Sequence, residues 1–185
     1  MTRSSTSSQA PPVTSEQAAL FSRLFDDHYD FVHHSLRRLG VHARDLEDLA
    51  HDTFVKVFEN LHRYDETRPA RPWLFAFAFR LASDYRRLAR HRTELGADPE
   101  TMTAAAAPSA EDMAVQRQSA RLAEAALLEI PLDQRAVFVL YELDETPMKT
   151  IAETLEIPVN TAYSRLRLAR EAFAKAATRL KEATS

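Results

Sequence analysis

The chain has 185 residues, enough for one or two small domains, with 45% apolar residues, two glycines and a net charge of −3 at neutral pH. Scarce glycine with abundant Ala, Leu, Arg and Glu argues against a turn-rich β architecture and predicts an all-α fold. Without cysteine there is no disulfide, thiolate nucleophile or cysteine zinc site, and without a signal-peptide core or a bilayer-length apolar run the expectation is a cytoplasmic protein with no membrane insertion.

Residues 1–14 are rich in Ser, Thr and Pro, which predicts a disordered tail. Thr14 and Gln17 have capping-box spacing. The helix they open is expected to reach Leu39, with Leu20, Leu24, Tyr29, Val32 and Leu36 near helical spacing and Gly40 as its stop. In the next helix Leu46, Leu49, Ala50, Thr53, Phe54, Val57, Phe58 and Leu61 form one apolar stripe. Glu47, Asp48, His51, Asp52 and Glu59 are left to another face. A loop, HRYDETRPARP, leads to a third helix from Trp73 to about Arg92. Its start, WLFAFAF, is apolar, and its end is basic: Arg80, Arg86, Arg87, Arg90 and Arg92 stand against Asp84 alone. These elements predict an N-terminal helical domain over residues 15–92.

Residues 93–110 hold Gly96, Pro99 and Pro108 and predict a flexible acidic linker. A second helical domain then spans 111–185. One helix runs to about Glu129 after a Ser109 cap, Pro131 opens LDQRAVFVLYEL, Thr146-Pro147 opens MKTIAETL, and Pro158 precedes VNTAYSRLRLAREAF.

The last two helices, with Glu156-Ile157-Pro158 between them, have helix-turn-helix spacing. Ile151, Ala152, Leu155, Val159, Ala162, Leu166 and Ala169 are expected to face inward. Asn160, Thr161, Tyr163, Ser164, Arg165, Arg167 and Arg170 then supply donors for phosphates and base edges, although any antiparallel helix pair can show such spacing. The stretch from Tyr64 to Arg92 mixes aromatics with arginines, a pattern that suits single-stranded DNA. Within it Phe75, Phe77 and Phe79 read as packing, and Trp73 as more structural than its loop neighbours. Tyr64, Arg71, Trp73, Arg80, Arg86, Arg87 and Arg90 are the site candidates.

Two stretches carry a specific resemblance. DLEDLAHDTFVKVFENLHRYD with RPWLFAFAFRLASDYRRLARHR resembles region two of the extracytoplasmic-function sigma factors. IPLDQRAVFVLYELDETPMKTIAETLEIPVNTAYSRLRLAREAF resembles their region four. The resemblance implies an alternative sigma factor that binds RNA polymerase core and directs promoter-specific transcription, without cofactor, metal or catalysis. It places Asp45, Glu47, Asp48, Asp52 and Glu59 on the clamp helices of the β′ subunit. The loop His62 to Arg71 and the helix after it would open the minus-ten element and capture an unstacked base. The helix-turn-helix would read the minus-thirty-five element while its domain leans on the β flap. Members of the family are often held by an anti-sigma factor, and no residue here identifies one. Two positions depart from the family pattern: Arg80 stands where Asn is usual, and SRLRLAR puts Arg at 167 and Leu at 168.

Other classes compete. A helix-turn-helix regulator could act without polymerase docking, its N-terminal half sensing a ligand or dimerising. Asp48, His51 and Asp52, near His28, His33 and His34, have spacing that could hold a metal. HDTF is not HExxH, however, and there is no Gly-rich phosphate loop.

Overall fold

The computed structural model describes residues 14–94 and 111–183, with side chains for 14–89 and 118–183. The expected tail, most of the linker, the Ser109 cap and the side chains of Arg90 and Arg92 lie outside that set. All described regular elements are helical.

Helix α1, Ser15–Leu39, opens on the expected capping box: Thr14 Oγ1 accepts from Gln17 N, and Thr14 N donates to Gln17 Oε1, both at 3.2 Å. It ends at Gly40, whose φ of 93° lies in the left-handed region, and Gly40 N–H donates to Arg37 O at 2.9 Å. A Cβ at Gly40 would sit 2.8 Å from Arg135 Nη1, the far end of a side chain that would have to shift, and the left-handed backbone angle is what favours glycine there.

A short 3-10 turn, Ala43–Asp45, leads into α2, Leu46–Glu59, and a second, Leu61–Arg63, follows it. Leu46, Ala50, Thr53, Phe54, Val57 and Leu61 are buried, as the stripe requires. Phe58 departs from it: the side chain is 39% exposed, with its ring edge-on to Phe21 at 5.0 Å. Phe54 instead fills the centre, 4.8 Å from the Phe25 ring. Helix α3, Ala70–Glu94, starts before Trp73, with Pro72 in its first turn, where a missing N–H costs nothing. Leu74, Phe75, Ala78 and Ala82 pack inward, and Phe77 and Phe79 are half-buried.

The second bundle comprises α4, Glu111–Glu129, α5, Leu132–Phe138, α6, Met148–Thr154, and α7, Val159–Glu182. The stretch expected as one helix, LDQRAVFVLYEL, widens after Phe138 into a π-helical turn, Val139–Leu143. Ile151 and Ala152 of α6 pack inward, as do Ala162, Leu166 and Ala169 of α7. Val159, expected inward, is 41% exposed because it begins α7 at the turn, before the helix meets its neighbours.

The two bundles also pack on each other, which nothing in the sequence pattern announces. Contacts run from α1 to α4 and α5, and from α3 to α6. Buried residues of both bundles belong to one continuous apolar cluster. Arg135 is fully buried at this junction and caps the end of α4, donating Nε to Ile130 O at 3.1 Å and Nη2 to the Ile130 and Leu128 carbonyls. Burial, and then the like charge of Arg86, pull its guanidinium down to about 9.

Candidate functional site

On α2, Glu47, Asp48 and Asp52 are exposed, and Glu59 pairs with Lys56 at 2.9 Å. Asp48, Asp52, Val55 and Glu59 share one stripe, with Val55 an exposed apolar centre at 53%. Asp45 departs from this face. It is half-buried and accepts a hydrogen bond from Tyr85 Oη at 2.6 Å, tying the entrance of α2 to α3. Burial and that bond push the Tyr85 phenol up to about 12. A raised folded pKa means the bond's contribution is full below the ordinary tyrosine value and is lost as pH rises through about 12. Tyr85→Phe should therefore destabilise the first bundle by about 1–2 kcal/mol at neutral pH in denaturant unfolding, with the deficit vanishing in strong alkali. An unchanged midpoint would return Asp45 to the outer acidic face.

Among the described residues no group of acidic and histidine side chains converges to hold a metal. His51 Nδ1 lies 2.9 Å from its own helix's Glu47 carbonyl.

The stretch from Tyr64 to Arg87 divides into two faces. Tyr64 and Trp73 lie with ring centroids 4.7 Å apart, and Phe77 stands edge-on to Trp73 at 5.0 Å. Trp73 is half-buried, so it both packs and faces the cavity. These aromatics line a cavity of about 550 Å³ whose rim carries Arg63, Arg68 and Arg80. Burial, and then Glu66 and Asp65, raise the Tyr64 phenol above its ordinary value, so the ring is neutral at physiological pH. Arg63 and Arg68 were not singled out by sequence. The signal was their place in the loop joining α2 to α3, beside Tyr64.

The remaining candidates turn elsewhere. Arg71 lies over the Phe31 ring at 5.4 Å, on the α1 side. Arg86 is half-buried and donates to Leu39 O at 3.4 Å, at the end of α1. Arg87 is exposed and pairs with Asp84 at 3.2 Å. Arg90 has no described side chain.

On α7, Asn160, Tyr163, Ser164 and Arg167 are all exposed and form one stripe, with Arg167 paired to Glu171 at 2.6 Å. Thr161 is half-buried. Arg165 turns away from the stripe: it is half-buried and pairs with Asp133 of α5 at 3.2 Å. Arg170 also faces the α5 side, paired with Glu142 at 2.6 Å and 5.5 Å from the Tyr141 ring centroid.

A helix-turn-helix with an exposed polar stripe, packed on a bundle whose aromatic cavity is rimmed by arginines and by Asp65, Asp84, Glu153 and Glu156, has the general form of a DNA-binding protein. Residues 24–92 match the family Sigma-70 region 2, and residues 120–173 match Sigma-70, region 4. The ECF RNA polymerase sigma factor SigL of Mycobacterium tuberculosis is 30% identical over 155 residues, 83% of this chain and 86% of that one. SigW of Bacillus subtilis, another ECF RNA polymerase sigma factor, is 26% identical over 165 residues, 84% of this chain and 87% of the relative. The chain belongs to the extracytoplasmic-function RNA polymerase sigma factors, alternative sigma factors that direct transcription. Two solved structures share the fold. The sigma factor RpoE from Bartonella quintana, in complex with the anti-sigma factor NepR, has a TM-score of 0.67 at 19% identity, covering 84% of this chain and 95% of that one. CnrH, in complex with the cytosolic domain of CnrY, has a TM-score of 0.57 at 24% identity, covering 91% of each.

Proposed function

We propose that residues 15–92 act as region two, 93–110 as the connector and 111–185 as region four of a cytoplasmic initiation factor with three working faces. The α2 stripe of Asp48, Asp52 and Glu59, with Glu47 beside it, docks on the β′ clamp helices. The Tyr64–Trp73 cavity takes an unstacked base of the minus-ten element while Arg68 and Arg80 hold the strand's phosphates. The α7 stripe enters the major groove at the minus-thirty-five element, and region four leans on the β flap.

The observation that carries this reading is the aromatic cavity with its arginine rim. Extruding a base costs a few kcal/mol, which stacking on a ring and a cationic backbone path offset. An anti-sigma factor is proposed as a further partner, because the relatives RpoE and CnrH were solved with protein partners of their own.

Reconstituted transcription with core polymerase on a promoter library tests the function as a whole. Initiation confined to a subset of promoters supports it. A chain that binds DNA but never co-purifies with core would instead be a regulator without polymerase docking. Reversing both charges in Asp48→Lys with Asp52→Lys should weaken core binding about tenfold while leaving helix content intact, since rim charges contribute modestly. Equal affinity for core would remove this face from the interface.

A further inference from the structure

The outward stripe of α7 has two unlike edges. Asn160, Tyr163 and Arg167 run along one. Thr161, Ser164 and Leu168 follow spacings of three and four along the other, which carries no charge. Ser164 and Leu168 are exposed on that edge, and Thr161 is half-buried. Leu168 is 40% exposed and stands outside the apolar cluster, which Leu166, Ala169, Ala172 and Phe173 of the same helix join. A single exposed leucine is ordinary on a protein surface. This one lies one turn beyond Ser164 and next to Arg167, on the face that enters the major groove.

Ser164 supplies an independent observation. Its Oγ lies 3.0 Å from Asn160 O, and a carbonyl oxygen only accepts, so the hydroxyl proton is committed to the helix. Ser164 therefore turns a lone pair outward, not a proton. A hydrogen-bond acceptor beside an apolar side chain suits one base pair. In the major groove A·T offers both an amine, adenine N6, and a methyl group, on thymine C5, whereas G·C offers an amine without the methyl.

We infer that Leu168 sets base preference by packing on a thymine methyl of the minus-thirty-five element, with Ser164 Oγ accepting from N6 of the paired adenine. The inference rests on the reading of α7 as the minus-thirty-five helix. The Leu168 contact works by removing a methyl from water, so it is insensitive to salt, unlike an arginine contact to phosphate.

The test uses holoenzyme reconstituted with core polymerase and a promoter from which it initiates. Each thymine of the minus-thirty-five element, on either strand, is replaced in turn by deoxyuridine, which loses the methyl and keeps the pairing. One replacement should weaken wild-type binding about three- to fivefold across a salt series, the yield of one buried methyl. Leu168→Ala should weaken binding to the unmodified promoter and be indifferent to that same replacement, with an unchanged melting temperature because the side chain lies outside the cluster. Leu168→Met, of similar volume, should keep the sensitivity. Replacing the paired adenine by purine, which lacks the amine, should penalise wild type more than Ser164→Ala, and an equal penalty overturns the assignment of that pair. A Leu168→Ala holoenzyme that still senses the lost methyl overturns the inference. So does a wild type that is weakened by scrambling the element but by no single deoxyuridine. Scrambling without any loss would instead remove the reading of α7 beneath it, and the inference with it.

Discussion

Arg135→Ala should lower the stability of the second bundle by about 3 kcal/mol or more. The side chain is fully buried, and its Nε and Nη2 satisfy the Ile130 and Leu128 carbonyls at the end of α4. Alanine leaves those acceptors buried without donors, at about 1–3 kcal/mol each, and leaves a void beside α5. Part of that loss is offset, because the native guanidinium is itself costly: Nη1 is buried without a partner, and Arg86 brings a like charge to the same junction. Arg135→Met isolates the terms, since it fills the volume and removes the charge while still stranding the carbonyls. The expected order of denaturant midpoints is wild type, then Met, then Ala. Ala equal to wild type would mean that these caps contribute nothing to the fold.

Arg135 also marks where reading from sequence stops. In LDQRAVFVLYEL an arginine reads as a surface charge, and nothing in helical periodicity says that its donors will find the carbonyl end of the preceding helix. What was legible was local. The Thr14–Gln17 box and the Gly40 stop depend on neighbours within one turn, and the α2 stripe follows from a repeat along one helix. The helix-turn-helix was legible because Pro158 and the Ile151, Ala152, Ala162 and Leu166 spacing lie within one short stretch. Of the candidates in the stretch from Tyr64 to Arg92, Tyr64, Trp73 and Arg80 line one cavity, as their closeness in the chain suggested. The directions of Asp45, Arg71 and Arg86 were not legible, because their partners are Tyr85, the Phe31 ring and the Leu39 carbonyl, all on other elements.

The same limit hid the contact between bundles. Arg38 meets Asp144 across 106 positions and Arg80 meets Glu156 across 76, and pairs so distant leave no periodic trace. An acidic residue in the turn of a helix-turn-helix looks like ordinary surface polarity until the residue opposite is an arginine from the other bundle.

Arg167→Ala should cost about 1–3 kcal/mol of holoenzyme binding to a promoter with an intact minus-thirty-five element, and much less when that element is scrambled. From sequence Arg165 is the better candidate, because it sits in the Ser-Arg-Leu stretch that resembles the family. Residues two apart on a helix point about 200° apart, so only one of the two can share a stripe with Asn160 and Tyr163. That residue is Arg167: its side chain is 66% exposed, against 26% for Arg165, which is held by Asp133 of α5. Its Glu171 partner is also exposed, so the pair is easily exchanged for a base edge or a phosphate. A contact to a base makes the loss depend on the element, whereas a contact to phosphate makes it independent of sequence and lowers the salt slope by about one. Arg165→Ala should instead soften the α5–α7 packing slightly and leave discrimination between the two promoters unchanged. Binding of the holoenzyme to both promoters across a salt series separates these outcomes. Discrimination lost with Arg165→Ala and kept with Arg167→Ala would turn the reading face of α7 toward α5.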